Sequence, residues 1–498
     1  MTDVPTSFRL PDTRLFIGGE FVESAAGTSI DVLDPHDGSL LATVSEAREV
    51  DVDRAVVAAR DQAPSWAATT ASQRGILLLR LADAIEEHAD ELSILETRDT
   101  GHPRRDTERL DVPRTAACFR YFGGMADKYQ GSVVPVDAGM LNYVLRQPLG
   151  VVGAIVPWNF PLMFTSWKLG PLLAAGNTAV MKPSEITPLS TLRLAELIAE
   201  VGFPPGVVNI VTGYGASAGQ RIAEHPGIDK VTFTGSTEVG RGIVRASAGN
   251  LKRVQLELGG KGANIVFEDA DLEAAIGGSA FAIFHNQGQA CIAGSRLLLQ
   301  ESIADEFLDG FVALARRIRI GDPMSPETEL GPLTSLAHRD RVLAYVAVAE
   351  SEGGTLVTGG QSPADPTLRR GYYVEPTVVL APKGGRVTRE EVFGPFVTVQ
   401  RFKDDDEALG LANEVEYGLG AGCWTRDLTR AHRFAASLRA GMVWVNTYKR
   451  VHPGSPFGGV GASGYGREMG FEAMGGYTEA HSVWINVDAP PIKFYGNS

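Results

Sequence analysis

Two stretches carry residue types able to make and break bonds at carbon. Leu256-Glu257-Leu258-Gly259-Gly260-Lys261 offers a carboxylate, and Asn286-Gln287-Gly288-Gln289-Ala290-Cys291-Ile292-Ala293-Gly294-Ser295-Arg296 offers a thiol. A cysteine among small and amide residues can be approached closely by a substrate, and attack of its thiolate on an electrophilic carbon gives a covalent intermediate. The carboxylate can then activate the water that releases it. Taken singly, Cys291 also reads as a small buried hydrophobe and Glu257 as a solvated strand-end charge. The rest of the chain decides between these readings.

Four further stretches bear on that choice. Pro157-Trp158-Asn159-Phe160-Pro161 follows an apolar strand, so Asn159 points at the mouth of a sheet, where its amide can donate to an oxyanion. A turn asparagine bonded only to backbone is the alternative. Phe233-Thr234-Gly235-Ser236-Thr237-Glu238-Val239-Gly240 puts a glycine where a strand becomes a helix; open amides there, with the helix dipole and Ser236, suit a pyrophosphate, although a tight turn alone would also need glycine. Lys182-Pro183-Ser184-Glu185 places an ammonium and a carboxylate beside another strand end, either as an ion pair or as ribose contacts, and a carboxylate there would repel a 2′-phosphate. Glu390-Glu391-Val392-Phe393-Gly394-Pro395 adds two carboxylates and a ring before a turn, with solvated charge as the plain reading.

The elements needed to position these groups are legible in outline. A chain of 498 residues exceeds one ordinary core, so two or three domains are expected. From Val151 onward, apolar runs (Val151 to Val156, Thr178 to Lys182, Val207 to Val211, Lys230 to Thr234) alternate with helices. The clearest helix runs from Thr187 to Val201, with Thr187 as N-cap, Pro188 at the first helical position and Gly202 past the end. Strand, helix, strand in this order predicts a parallel α/β sheet, which binds ligands at the carboxyl ends of its strands. A second α/β set follows Glu257, with strands at Arg296 to Gln300, Val397 to Phe402 and Met442 to Val445, and helices at Ile303 to Ile318 and Leu428 to Leu438. Ahead of both, Phe16 to Val22 reads as a hairpin with a Gly18-Gly19 turn. Ser72 can cap one helix carrying Ile76, Leu77, Leu81, Ile85, Leu92 and Leu95 as far as Gly101. The final strand, His481 to Val487, has no helix of its own and finds its natural mate near Asn142.

Net charge of -14 argues against nucleic acid or an anionic membrane as partner. Three cysteines, Cys118, Cys291 and Cys423, suggest neither a disulfide framework nor a metal cluster and fit a reducing compartment. Met1 to Leu10 shows no basic segment followed by an apolar run, and no stretch reaches transmembrane length, so a soluble, cytoplasmic protein without a metal is expected.

Together, in their order and spacing, Pro157 to Pro161, Lys182 to Glu185, Phe233 to Gly240, Leu256 to Lys261, Gln287 to Arg296, Glu390 to Pro395 and Ser455-Pro456-Phe457-Gly458-Gly459 resemble the NAD(P)-dependent aldehyde dehydrogenase superfamily, of its hydrolytic, non-acylating type. The resemblance covers nearly the whole chain. It implies an α/β fold with a Rossmann-type cofactor domain (residues 1–129 and 149–258), an α/β catalytic domain (259–470) and a small split β oligomerisation segment (130–148 and 471–498). It also implies NAD as cofactor, a homodimer or homotetramer, and oxidation of an aldehyde to its acid through a thiohemiacetal and a thioester. By resemblance, Cys291 is the nucleophile and Asn159 with the Cys291 backbone N–H the oxyanion site. Glu257 is the base for hydrolysis, and Lys168 and Glu468 are relay positions. Lys182 and Glu185 match ribose contacts, Gly235 and Ser236 the pyrophosphate region, and Glu391 and Phe393 the nicotinamide side. Ile155, Pro157, Trp158, Gly215 and Leu258 are further cofactor positions. Phe164, Trp167, Val451 and Phe457 line the substrate tunnel.

Relatives that pass the acyl group to coenzyme A can dispense with a base, so Glu257 favours free acid as product. A coenzyme A-acylating enzyme and a non-catalytic protein on the same fold are the competing readings. Lys449, Arg450 and His452 fall near the tunnel mouth, which predicts a neutral or anionic aldehyde over a cationic one.

Overall fold

Strands buried on both faces need helices on both sides, and the computed structural model, which describes residues 9–490, is built that way. Arg253–Glu257, Lys230–Thr234, Val151–Ile155, Thr178–Lys182 and Val208–Ile210 lie side by side in parallel. They form the middle of an eight-stranded sheet. One face packs Val151, Val180, Val231 and Phe233 against Val52 and Val56 of the helix Glu49–Ala68. The other packs Val152, Ala154 and Met181 against a larger core that includes Phe119, Leu169 and Leu192. The hairpin Leu15–Ile17 and Glu20–Val22 closes one edge through left-handed Gly18 and Gly19, as expected.

A second, seven-stranded sheet runs in the order Thr355–Thr358, Thr377–Leu380, Phe396–Phe402, Arg296–Gln300, Ala263–Val266, Gly420–Trp424 and Met442–Val445. All its pairs are parallel except the first. Thr478–Asn486 pairs antiparallel with Met140–Pro148, placing Trp484 opposite Asn142, and Ser132–Val134 completes a three-stranded sheet. The fold is therefore a Rossmann-type sheet, a second α/β layer and a small split β sheet. Among the described residues no helix is long and apolar enough to cross a membrane. Residues 1–8 and 491–498, part of the stretch read for a leader pattern and of the expected first and last segments, lie outside the described residues.

Four details differ from expectation, each for a local reason. Gly464–Tyr465, expected in the second α/β unit, adds an antiparallel strand to the first sheet beside Leu256 and Glu257. The helix expected from Ser72 to Gly101 is two helices, Ala71–Glu87 and Ala89–Thr100, broken at His88. Ser72 is not the cap: Thr70 accepts from the Gln73 N–H at 3.3 Å, while Gln73 Oε1 accepts from the Thr70 N–H at 3.1 Å. Thr187 caps nothing, because the helix begins at Leu189 and a distant carboxylate, Asp99 Oδ2, takes the Leu189 N–H at 2.7 Å.

The reciprocal cap predicts that Thr70→Ala lowers stability by about 1 kcal/mol. Ser72→Ala should stay within about 0.5 kcal/mol of the parent. Urea-unfolding midpoints of the two variants read the difference, and an equal response would contradict the assignment of the cap.

Candidate active site

Asn159, Gly235 and Glu257 all sit at the carboxyl ends of parallel strands in the first sheet, just after Val151–Ile155, just after Lys230–Thr234 and as the last residue of Arg253–Glu257. Cys291 lies in the loop between the helix Leu272–Phe284 and the second-sheet strand Arg296–Gln300. The seam between the two sheets holds two cavities. The first is lined by Pro157, Trp158, Asn159, Gly235, Ser236, Glu257, Leu258, Cys291, His338, Arg341, Glu391 and Phe393, among others. The second, narrower one is lined mainly by apolar groups: Phe160, Met163, Phe164, Trp167, Phe281, Ile292, Val451 and Phe457, with Arg114, His285 and Lys449. Cys291 and Phe164 line both. The thiol is thus part of the wall between a polar cleft and an aromatic pocket.

Two reciprocal hydrogen bonds set the position of Asn159 relative to the thiol loop. Its Nδ2 donates to the Gln289 carbonyl at 2.8 Å, and Asn286 Nδ2 donates to the Asn159 carbonyl at 2.9 Å. An amide carries two N–H groups, so Asn159 keeps a second donor for the cavity. The loop achieves this with Asn286 and Gln287 at φ +52° and +53°, a conformation that costs non-glycine residues energy and recurs at functional sites. Close packing explains two glycines. A Cβ on Gly260 would lie 2.4 Å from the Cys291 carbonyl oxygen, and one on Gly458 would lie 2.6 Å from Glu257 Oε1.

Burial dominates the site's electrostatics. The Cys291 thiol keeps some surface on the cavities, yet the density of protein around it, followed by the carboxylates of Glu391 and Glu257, pushes its pKa up. Lys449 pulls in the opposite direction. Glu257 is 2% exposed and its pKa is driven well above the usual carboxylate range, first by burial and then by the charge of Glu468. Neither of its oxygens has a hydrogen-bond partner among the described residues. Glu391 is raised to about 7 by burial, partly offset by the Gly260 N–H that its Oε1 accepts at 2.8 Å. Glu391 is therefore able to hold or release a proton near neutrality, while Glu257 keeps its proton to a higher pH than an ordinary carboxyl.

Behind Glu257, Lys168 donates to Glu468 at 2.8 Å and to Thr232 at 3.1 Å, all buried. Phe393 adopts φ +62° and meets Trp158 edge-on at 5.3 Å, closing the first cavity. The helix Thr237–Ser247 opens beside that cavity, but its cap occupies part of the expected anion site: Ser236 Oγ accepts the Val239 N–H, and the Gly235 N–H donates to the Glu257 carbonyl. Ile155, Lys182, Glu185 and Gly215 do not line either cavity. Lys182 is buried and held by the Pro183 carbonyl at 2.7 Å and Glu185 at 3.2 Å, so it is not the exposed ion pair of the plain reading.

The basic cluster near residue 450 also divides. Lys449 is buried and lines the aromatic pocket, whereas Arg450 and His452 are exposed and line neither cavity. Sequence reasoning missed Arg114, which reaches the pocket from the helix Val112–Met125, and His338 and Arg341, which line the cleft from the helix Leu336–Ser351. It also missed the Asn286 clamp, for which the Asn-Gln-Gly run was the available signal of left-handed backbone.

Comparison with known proteins agrees with this geometry. A model of the aldehyde dehydrogenase family matches residues 21–483. The NADP/NAD-dependent aldehyde dehydrogenase PuuC of Escherichia coli is 44% identical over 482 residues, covering 96% of each chain. The crystal structure of PnpE from Pseudomonas sp. WBC-3 has 65% identity and a TM-score of 0.96, covering 97% of this chain and 99% of that one. Betaine aldehyde dehydrogenase from Staphylococcus aureus, solved with NAD+, has 39% identity and a TM-score of 0.96, covering 98% and 97%. The chain belongs to the aldehyde dehydrogenase family.

Because the Glu468 charge helps hold Glu257 protonated, Glu468→Gln should let Glu257 ionise at lower pH. Infrared difference spectra of the carboxyl stretch across a pH series, referenced to Glu257→Gln, read this. A titration that stays in place or moves upward would contradict the coupling.

Proposed function

We propose that this chain oxidises an aldehyde to its carboxylic acid with NAD, RCHO + NAD+ + H2O giving RCOOH + NADH + H+, with Cys291 as nucleophile. The observation that carries this assignment is the position of one thiol on both cavities, beside Asn159 and Glu257. The first cavity fits a dinucleotide by its lining: the start of the helix Thr237–Ser247, whose other first-turn N–H groups stay open beside the Gly235 turn, the Glu391 carboxylate as acceptor, and Trp158 and Phe393 as ring walls. A structure of PnpE and one of betaine aldehyde dehydrogenase contain the same cofactor. NAD bound there supplies the hydride acceptor. Ile155, Pro157, Leu258 and Gly215 are assigned to its surroundings, with Lys182 and Glu185 on the ribose hydroxyls; the buried Lys182 and its carboxylate partner disfavour a 2′-phosphate.

Cys291 adds to the carbonyl carbon, and the new oxyanion accepts from the free N–H of Asn159 and from the Cys291 backbone amide. Departure of hydride leaves an acyl thioester on sulfur. Glu257 takes a proton from water, the hydroxide attacks the acyl carbon, and the C–S bond breaks to release acid and restore the thiol. Its high pKa suits a group that must gain and lose a proton within one turnover. Lys168 and Glu468 carry that proton onward from Glu257. Phe164, Trp167, Val451 and Phe457 hold the substrate's carbon skeleton.

Glu257 favours this reading over transfer to coenzyme A, and the complete set of Cys291, Asn159 and Glu257 favours it over a non-catalytic role. We assign residues 1–129 and 149–258 to cofactor binding, 259–470 to catalysis and 130–148 with 471–498 to assembly. The three-stranded sheet exposes Val133, Leu145, Trp484 and Ile485, which supports pairing with a second copy as a homodimer or homotetramer. The net charge of -14 disfavours nucleic acid, and three unpaired cysteines suit a reducing cytoplasm.

Single-turnover kinetics followed at the NADH absorbance test these roles. Cys291→Ala should form no NADH while still binding NAD, and Glu257→Gln should give a burst of one NADH per site followed by steady turnover slowed about 100-fold or more. Coenzyme A should not be required. Undiminished turnover in either variant would overturn the corresponding role.

A further inference from the structure

The aromatic pocket contains two cations that its own walls leave without an ion-pair partner. Lys449 is 5% exposed, yet its Nζ reaches only the His285 carbonyl, at 3.4 Å, and otherwise faces the Phe281 ring at 6.0 Å. Arg114 is half-buried and makes no hydrogen bond or ion pair with any described residue. Asp111 acts on it electrostatically without forming an ion pair or hydrogen bond to it; its Oδ2 is bonded to His102 at 2.6 Å. A basic group enclosed without a partner is costly to keep charged, and the half-buried Arg114 and buried Lys449 on one apolar pocket are placed to take up an anion from outside. Glu257 and Glu391, the acids nearest the sulfur, line the other cavity and are absent from this one.

We propose that the substrate is an acid semialdehyde, with its carbonyl at Cys291 and its carboxylate between Arg114 and Lys449. The inference rests on the role given to Cys291 above and narrows the neutral-or-anionic expectation to an anion. The pocket's phenylalanine, tryptophan and methionine walls suit a hydrocarbon spacer and would leave the hydroxyls of a sugar phosphate unpaired. Of the two cations, Arg114 is the cleaner probe, because Lys449 also acts on the Cys291 thiol.

The test compares kcat/KM for adipic semialdehyde and for hexanal, which have the same carbon count, in the full-length enzyme with NAD. The parent should favour the semialdehyde by about tenfold or more, the value expected of about 1.4 kcal/mol of differential binding. In Arg114→Leu that ratio should collapse through a raised KM for the semialdehyde, and Arg114→Lys should restore part of it. Lys449→Met should lower the ratio too. Hexanal oxidation with no preference for the semialdehyde in the parent, or equal losses on both substrates in Arg114→Leu, would overturn the inference while leaving the proposed function standing. Oxidation of neither aldehyde would overturn both.

Discussion

The site depends on one exchange of hydrogen bonds across the seam between two sheets. Asn159 belongs to the first sheet and donates to Gln289, while Asn286, from the loop that carries Cys291, donates back to the Asn159 carbonyl. All three residues are buried, so breaking either bond would strand polar groups at about 1–3 kcal/mol each. That penalty fixes the two layers in register at the point where an amide and a sulfur line one cavity. Secondary structure alone could not do this, since each sheet satisfies its own backbone without reference to the other. The unfavourable φ of Gln287 and the close approach of Gly260 to the Cys291 carbonyl are local costs of holding the loop in that place.

Enclosure by the same seam has an electrostatic consequence. Cys291, Glu257 and Glu391 are packed closely enough that burial favours the neutral form of each, and the charge of either glutamate disfavours a thiolate. Lys449 opposes this from the substrate side and is itself brought down to about 7 by burial. The site is consequently sensitive to anything that enters it. An anion beside Lys449 or a cation beside Glu391 would alter the proton affinity of the sulfur between them.

Much of this organisation was legible before folding was considered, because the relevant signals were local. Buried parallel strands announce themselves as continuous apolar runs, and Val151–Ile155, Thr178–Lys182 and Lys230–Thr234 appeared nearly residue for residue. The pairing of the last strand with the stretch near Asn142 followed from the last strand having no helix of its own. Where the reading failed, the deciding partner was remote. Thr187 looked like a cap because Asp99 cannot be seen from there, and Ser72 looked like one because its type suits the position, whereas Thr70 makes the reciprocal bonds with Gln73. Lys449, Arg450 and His452 formed one basic cluster on paper, but a left-handed turn at Lys449 sends its side chain inward and leaves the other two at the surface. Arg114 carried no signal at all, since only tertiary packing brings its helix to the pocket.

The central claim, that one sulfur at the wall of both cavities forms the covalent adduct, is tested most directly by mass spectrometry. The enzyme would be mixed with NAD and aldehyde, quenched in acid during turnover and digested. An acyl mass is expected on the peptide containing Cys291 and none on those containing the buried Cys118 and Cys423. An unmodified Cys291 in enzyme that has formed NADH, or an acyl group on another residue, would contradict it.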